Sequence, residues 1–263
     1  MKSFFEEEKI EYAGAVDFEN CRVKKEYLVN RVFSDRKPRS ALMVLAPYYV
    51  QTHTTRNVSR YCIANDYHEY MIGLLNRLCN LLAQRYGNYK FYPFCDHSPI
   101  DEVHAAAVAG LGVIGDNSLL INEKYGSYVF IGEIITDMPY CEFPDEYRNS
   151  GEILQCLHCS LCQDACPAKG KCLSSITQKK GELDDGEARL IKENKTAWGC
   201  DICQEVCPMN KRQETPIEYF KTENNSHITL SDIENMSDEE FRKKAYSWRG
   251  KDTLIRNLKL LEK

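Results

Sequence analysis

Eight of the chain's thirteen cysteines crowd into residues 156–207, and their spacing limits what that stretch can become. Cys156, Cys159, Cys162 and Cys166 follow one another as C-x2-C-x2-C-x3-C, with Pro167 directly after. A second set, Cys200, Cys203 and Cys207 before Pro208, is one cysteine short of the same pattern, and Cys172 is the candidate to complete it. Short gaps of this kind let one turn-rich loop aim several thiolates at a single four-iron cluster, while the cysteine before proline crosses to a second cluster. Zinc sites more often join two separated C-x2-C pairs, or mix cysteine with histidine, and fit this spacing poorly. The expectation is two [4Fe–4S] clusters, one on Cys156, Cys159, Cys162 and Cys207, the other on Cys166, Cys172, Cys200 and Cys203.

The rest of the composition suits an ordinary globular chain of 263 residues, 43% hydrophobic and 28% charged. No run approaches the roughly 18–20 apolar residues that span a bilayer. The start, Met1 to Phe5 followed by Glu6, Glu7 and Glu8, lacks the basic end and long apolar run of a signal peptide. So many cysteines without an export signal suit a reducing compartment, and a cytoplasmic protein is expected. The net charge of −5 carries no global signature of nucleic-acid binding, although it leaves a local basic surface open.

Three regions follow from the cysteine clustering: 1–149 as a mixed α/β domain, 150–213 as a ferredoxin-like module, and 214–263 as a C-terminal helical segment packing back on the core. The overall class is α+β. Ala41 to Ala46 reads as a buried strand, and Tyr89 to Phe94 and Tyr128 to Thr136 as strands rich in aromatic and β-branched residues. Met71, Leu74, Leu75, Leu78, Leu81 and Leu82 share one helix face, with Gly87 as its expected end. Asp101 to Ala109 is alanine-rich and helical, and Gly110, Gly112 and Gly115 punctuate a loop after it. Ser237 and Glu240 form a capping box at the head of a closing helix, in a tail with eight Lys/Arg against five Asp/Glu.

Several ordered motifs outside the cysteines resemble the epoxyqueuosine reductases, corrinoid iron–sulfur enzymes of queuosine synthesis on tRNA. They are Arg60-Tyr61, Asp66-Tyr67-His68, Asp96-His97-Ser98-Pro99, Ala109 to Gly115 with Asn117 to Ile121, Gly126-Ser127-Tyr128 and Ile131 to Ile134. Trp198 to Pro208, and Phe241-Arg242 through Leu254 to Asn257, continue the likeness, which covers about residues 40 to 260. It implies a cobalamin-binding α/β domain related to nitroreductases and reductive dehalogenases, joined to the double-cluster module. Asp96 matches the proton donor to the departing oxygen, and a raised pKa is expected of a carboxyl in a partly dry pocket. Tyr67, His68, Gly110, Gly112, Gly115, Asn117 and Ser118 are the expected cofactor-binding residues, the glycines through close backbone approach to the corrin.

The implied partners are a tRNA bearing epoxyqueuosine and a low-potential electron donor, with no membrane, and the chain is expected to act as a monomer. Where the family has Trp and Lys in its glycine loop, this sequence has Val113 and Asp116. It also stops at Lys263, as a short form without the helical repeats of longer members would. Two other readings are a corrinoid reductase of a different small electrophile and a two-cluster electron carrier without catalysis. Cys62 reads as a small buried residue, and Cys21, Cys79, Cys95 and Cys141, which lack ligand spacing, as core or surface thiols.

Overall fold

The computed structural model describes residues 1–52, 55–149, 155–221 and 225–262. Its centre is a four-stranded sheet of order β1-β2-β6-β3, formed by β1 (Tyr12–Asp17), β2 (Ser40–Pro47), β3 (Phe91–Phe94) and β6 (Val129–Thr136). Every pairing is antiparallel. β2 is buried along its whole length, as its unbroken apolar run requires, since a helix covers each face.

On one face lies the helix Tyr67–Arg85, whose Met71, Leu74, Leu75, Leu78 and Leu82 pack on Leu42, Val44 and Ile134. Gly132 lets it come close, because a Cβ there would stand 2.6 Å from Met71 Cε. The helix ends at Arg85 with Tyr86 as its C-cap, two residues before the expected glycine. On the other face the short helix Glu102–Val108 sets Ala105, Ala106 and Ala107 against Ala41, Met43 and Ile135. Small side chains suit this close helix-on-sheet contact.

The glycine segment is a hairpin, not an open loop. β4 (Val113–Ile114) pairs antiparallel with β5 (Leu120–Ile121). Gly112 and Gly115 are explained by the chain's own packing: a Cβ at Gly112 would sit 2.6 Å from the Ile121 carbonyl, and one at Gly115 would overlap Asn117. Gly110 has φ +75° and faces the Asn149 side chain.

The cysteine-rich segment has a small core of its own, Ala168, Leu173, Ile176 and Ile191. It is tied to the sheet domain by a Val58–Trp198 bridge and by the Trp198 indole N–H donating to Tyr61 at 2.7 Å. Buried Asp201 accepts from Arg56 at 2.7 Å, from the Ser59 hydroxyl at 2.5 Å and from the Arg60 N–H at 2.8 Å. The expected boundary at 149/150 falls at residues 150–154, outside the described residues. C-terminal Phe220, Ile233, Phe241, Tyr246, Leu254 and Leu258 join the same core as the long helix. The Ser237–Glu240 capping box is present. No helix among the described residues is long and apolar enough to cross a membrane.

Candidate active site and cysteine pocket

Two constellations stand out, one at Asp96 and one at the cysteines. Asp66 caps the long helix by accepting the His68 N–H at 3.0 Å, which holds Tyr67 and His68 in its first turn. Asp66 also takes His68 Nδ1 at 2.7 Å, and the other ring nitrogen, Nε2, lies 3.0 Å from Asp96 Oδ2. The Tyr67 hydroxyl donates to that same oxygen. The Tyr67 ring is fixed between Phe130, stacked at 4.0 Å and 6°, and the His68 imidazole at 4.1 Å. Asp96 itself sits at φ +60°, a conformation few non-glycine residues adopt, and its N–H donates to Glu102 Oε1 at 2.9 Å.

Charge follows from these contacts. Hydrogen bonds to Asp66 and then Asp96 raise His68 from 6.5 to about 10, so it is an imidazolium at neutral pH. Around Asp96, partial burial pushes the carboxyl up, but His68, Tyr67 and the charge of Lys25 outweigh it and leave the pKa below its ordinary value. This corrects the expectation of a raised pKa: the stored proton is on His68, beside an Asp96 carboxylate. Burial and the Asp96 charge push the Tyr67 hydroxyl well up, which keeps it a donor. The His68 and Asp96 side chains are 40% and 54% exposed, so the site is open to a large reactant.

The second constellation is a pocket lined by Cys156, Cys159, Cys162 and Cys207 together with Gly115, Asp116 and Asn117. Left-handed turns at His158 (φ +50°) and Ser160 (φ +63°) bend this loop inward. Cys200 lies within electrostatic reach of Cys203 and Cys172, and Cys203 of Cys172 and of Asn117. Cys166 follows the short helix Leu161–Asp164. Such soft thiol donors, four converging on one pocket, fit an iron–sulfur cluster.

The expected cofactor-binding residues therefore divide. Tyr67 and His68 join Asp96; Gly115 and Asn117 line the cysteine pocket; Gly110 and Gly112 edge a groove of about 620 Å³ with Asn122, Met209 and Lys211. Ser118 is exposed at φ +63°, in the turn of the hairpin. Among the described residues, Gly110, Gly112 and Gly115 meet their own chain and form no cradle specific to a corrin.

In the sequence no site role falls to Asp66 or Glu133, though both lie in its motifs, nor to Glu102 or the Asp116–His158 pair, whose Oδ1 and Nδ1 atoms lie 2.8 Å apart beside Cys156. Asp66 could have been found as the N-cap two residues before His68. Cys62 is fully buried, its thiol donating to the Ser59 carbonyl at 3.0 Å, and Cys79 and Cys95 are buried core thiols.

The family model described as "Epoxyqueuosine reductase QueG, DUF1730" matches residues 35–97, which include β2, the Asp66–His68 cap and Asp96. An epoxyqueuosine reductase of Lactococcus garvieae is 33% identical over 219 residues, covering 76% of this chain and 59% of that protein. One of Pseudomonas aeruginosa is 34% identical over 197 residues, with 70% and 53% covered. The chain thus spans between half and two thirds of the length of these two relatives. One of Leadbetterella byssophila is 31% identical over 246 residues, covering 84% of this chain and 78% of the relative. Among solved structures, an epoxyqueuosine reductase with a tRNA-Tyr epoxyqueuosine-modified stem loop has TM-score 0.78 at 22% identity, covering 99% of this chain and 80% of that one. A Bacillus subtilis epoxyqueuosine reductase, solved with its catalytic aspartate loop swung out of the active site, has TM-score 0.76 at 22% identity over the same shares. At that identity the structures speak to the fold alone; the sequence relatives decide the family. The chain belongs to the epoxyqueuosine reductase family.

Proposed function

We propose that this protein reduces the epoxide of epoxyqueuosine in tRNA to give queuosine, drawing electrons through two [4Fe–4S] clusters and using cobalamin. The observation that carries the reading is the Asp66–His68–Asp96–Tyr67 constellation, a stored proton beside a carboxylate at an open site. Deoxygenating an epoxide to an alkene consumes a pair of electrons and a pair of protons and releases water. Cys156, Cys159, Cys162 and Cys207 would hold one cluster, and Cys166, Cys172, Cys200 and Cys203 the other. When bound, such clusters supply single electrons at low potential. Cobalamin enters on the family likeness alone, and no step is derived through it.

The chain's own residues account for the protons. As negative charge develops on the departing oxygen, the His68 imidazolium, oriented by Asp66, gives its Nε2 proton to the Asp96 carboxylate, which relays it to that oxygen and returns to the carboxylate form. Tyr67 keeps the carboxylate aimed by donating to Oδ2. Half-exposed His68 then reprotonates from solvent for the next transfer.

An RNA substrate is favoured over a small electrophile by the basic rim of this site. Lys25 Nζ lies 3.4 Å from His97 Nδ1, and Tyr27 nearby is 61% exposed. On the other side the Lys243 carbonyl accepts the Asp66 N–H, at the start of a stretch carrying exposed Lys243 and Trp248 and half-buried Arg249. Arg249 stacks 3.8 Å over the ring of the 54% exposed Trp248. Cations interleaved with aromatic rings suit a phosphate backbone and unstacked bases.

The test is anaerobic reconstitution of the clusters, titration with cobalamin and assay on an epoxyqueuosine-bearing tRNA stem loop. A base-off spectral change and formation of queuosine are expected. Turnover of a small epoxide but not of the RNA would favour the small-electrophile enzyme. Absence of cobalamin binding would remove the corrinoid reading.

A further inference from the structure

Behind the Asp96 turn, the proposed mechanism leaves two carboxyl groups without a task. Glu133 stands in the middle of β6, opposite Met43 of β2 and Phe94 of β3, on the face covered by the Glu102–Val108 helix. It is 0% exposed, on a face whose other buried side chains are apolar, among them Ala41, Met43, Leu45 and Ile135. Among the described residues neither of its carboxyl oxygens meets a partner in good hydrogen-bonding geometry, although the Glu102 carboxyl and the Ser98 hydroxyl lie within reach. An isolated carboxylate is not sustainable in such a place, whereas a neutral acid is. The polar groups facing it are Glu102 first, then Ser98 and the more distant Asp96. Around the pair stand the Cys95 and Cys21 thiols and the Lys25 ammonium, with the His68 imidazolium beyond Asp96.

Glu102 is the first residue of its helix and looks both ways. Its Oε1 accepts the Asp96 N–H at 2.9 Å, and its carboxyl adjoins Glu133. Burial lifts Glu102 to about 7, and it lifts Glu133 well above the ordinary carboxylate range. Two adjacent carboxyls in a dry site cannot both ionise, so they share a proton. Asp96 meanwhile occupies φ +60°, a conformation that needs an external restraint.

We propose that Glu102 and Glu133 form a proton-sharing carboxyl pair that latches the Asp96 turn in its working position. The protonated Glu133 donates to Glu102, which keeps Glu102 turned inward with an oxygen available to the Asp96 N–H. Both are positioning residues, acting through Asp96 in a role that rests on Asp96 being the proton donor of the proposed reaction. Were both ionised, mutual repulsion and that of Asp96 would drive Glu102 outward and release the turn.

The pair is tested with holoprotein, in ways that do not depend on turnover. Difference infrared spectroscopy at neutral pH should give a protonated-carboxyl band in wild type that is lost in Glu133→Gln. Hydrogen exchange of the peptide containing Asp96 should run roughly ten- to hundredfold faster in Glu102→Ala, the loss expected for a bond to a charged acceptor. Glu133→Gln, which retains a neutral donor, should keep the wild-type exchange rate, whereas Glu133→Leu should match Glu102→Ala. In turnover, Glu102→Ala should lower kcat about tenfold or more with little change in KM, and Glu133→Gln should retain kcat. If wild type proves inactive on epoxyqueuosine RNA while the infrared and exchange results hold, the latch stands and the proposed reaction falls. Wild-type exchange in Glu102→Ala, exchange in Glu133→Gln as fast as in Glu133→Leu, or absence of the carboxyl band overturns the latch.

Discussion

Replacing His68 with glutamine removes the imidazolium while keeping an amide of similar reach. In the folded chain the His68 pKa rises from 6.5 to about 10 through its contacts with Asp66 and Asp96. Taken at face value, at ~1.4 kcal/mol per tenfold, that would be several kcal/mol. The His68 and Asp96 side chains are 40% and 54% exposed, however, so solvent screening reduces the gain to ~1–2 kcal/mol. Asp96 moves less than His68 because partial burial pushes its carboxyl the opposite way. A histidine whose pKa is raised by folding contributes stability that is fully present below about 6.5 and lost as pH rises through about 10. Denaturant unfolding should therefore show wild type more stable than His68→Gln by ~1–2 kcal/mol near pH 6, with the gap closing above about pH 10. The same variant should lose roughly a hundredfold or more in kcat on epoxyqueuosine RNA, with KM little changed. An equal stability gap at both pH values would refute the charged bridge, and unchanged kcat would remove His68 from the proton path.

Cys172→Ser should lower the iron bound after reconstitution to about half that of wild type, whereas Cys141→Ser, at an exposed thiol without ligand spacing, should leave it unchanged; full iron in Cys172→Ser would reject that ligand. Asp201→Ala removes the buried partner of Arg56, Ser59 and the Arg60 N–H, and urea unfolding should register a loss of ~3–5 kcal/mol. Of the two tryptophans, Trp198 is fully buried and Trp248 is 54% exposed. Stem-loop binding should thus quench fluorescence from Trp248 alone, and Trp248→Phe should abolish the quench.

The parts of this molecule legible in the sequence are those written in local spacing. The C-x2-C repeats, the apolar run of β2, the leucine face of the long helix and the Ser237–Glu240 box each occupy a short window, and each names its own geometry. β1 and the order β1-β2-β6-β3 were not legible, because Tyr12 meets Leu45, and Leu45 meets Ile131, across separations that no window spans. The glycine segment read as a loop because its strands are two residues long and their pairing depends on Gly112 meeting the Ile121 carbonyl. Asp96, Tyr67 and His68 were visible as separate motifs, but their shared hydrogen bonds, and so the sign of the Asp96 shift, exist only once the helix cap meets the turn. Glu133 lay within a recognisable Ile-Gly-Glu-Ile run, yet nothing near it in sequence points to Glu102 thirty-one residues earlier.

The central claim is that electrons arriving from the cysteine clusters and a proton delivered through Asp96 together reduce an epoxide carried on RNA. A single-turnover assay tests it most directly. Wild type and Asp96→Asn, each anaerobically reconstituted with its clusters and supplied with cobalamin, are mixed with an epoxyqueuosine-bearing stem loop and a low-potential reductant, and the nucleoside product is weighed by mass spectrometry. Wild type is predicted to form queuosine, and Asp96→Asn to retain its clusters and its RNA affinity while losing roughly a hundredfold or more in rate. Queuosine formed at the wild-type rate by Asp96→Asn, or none formed by fully loaded wild type, would contradict it.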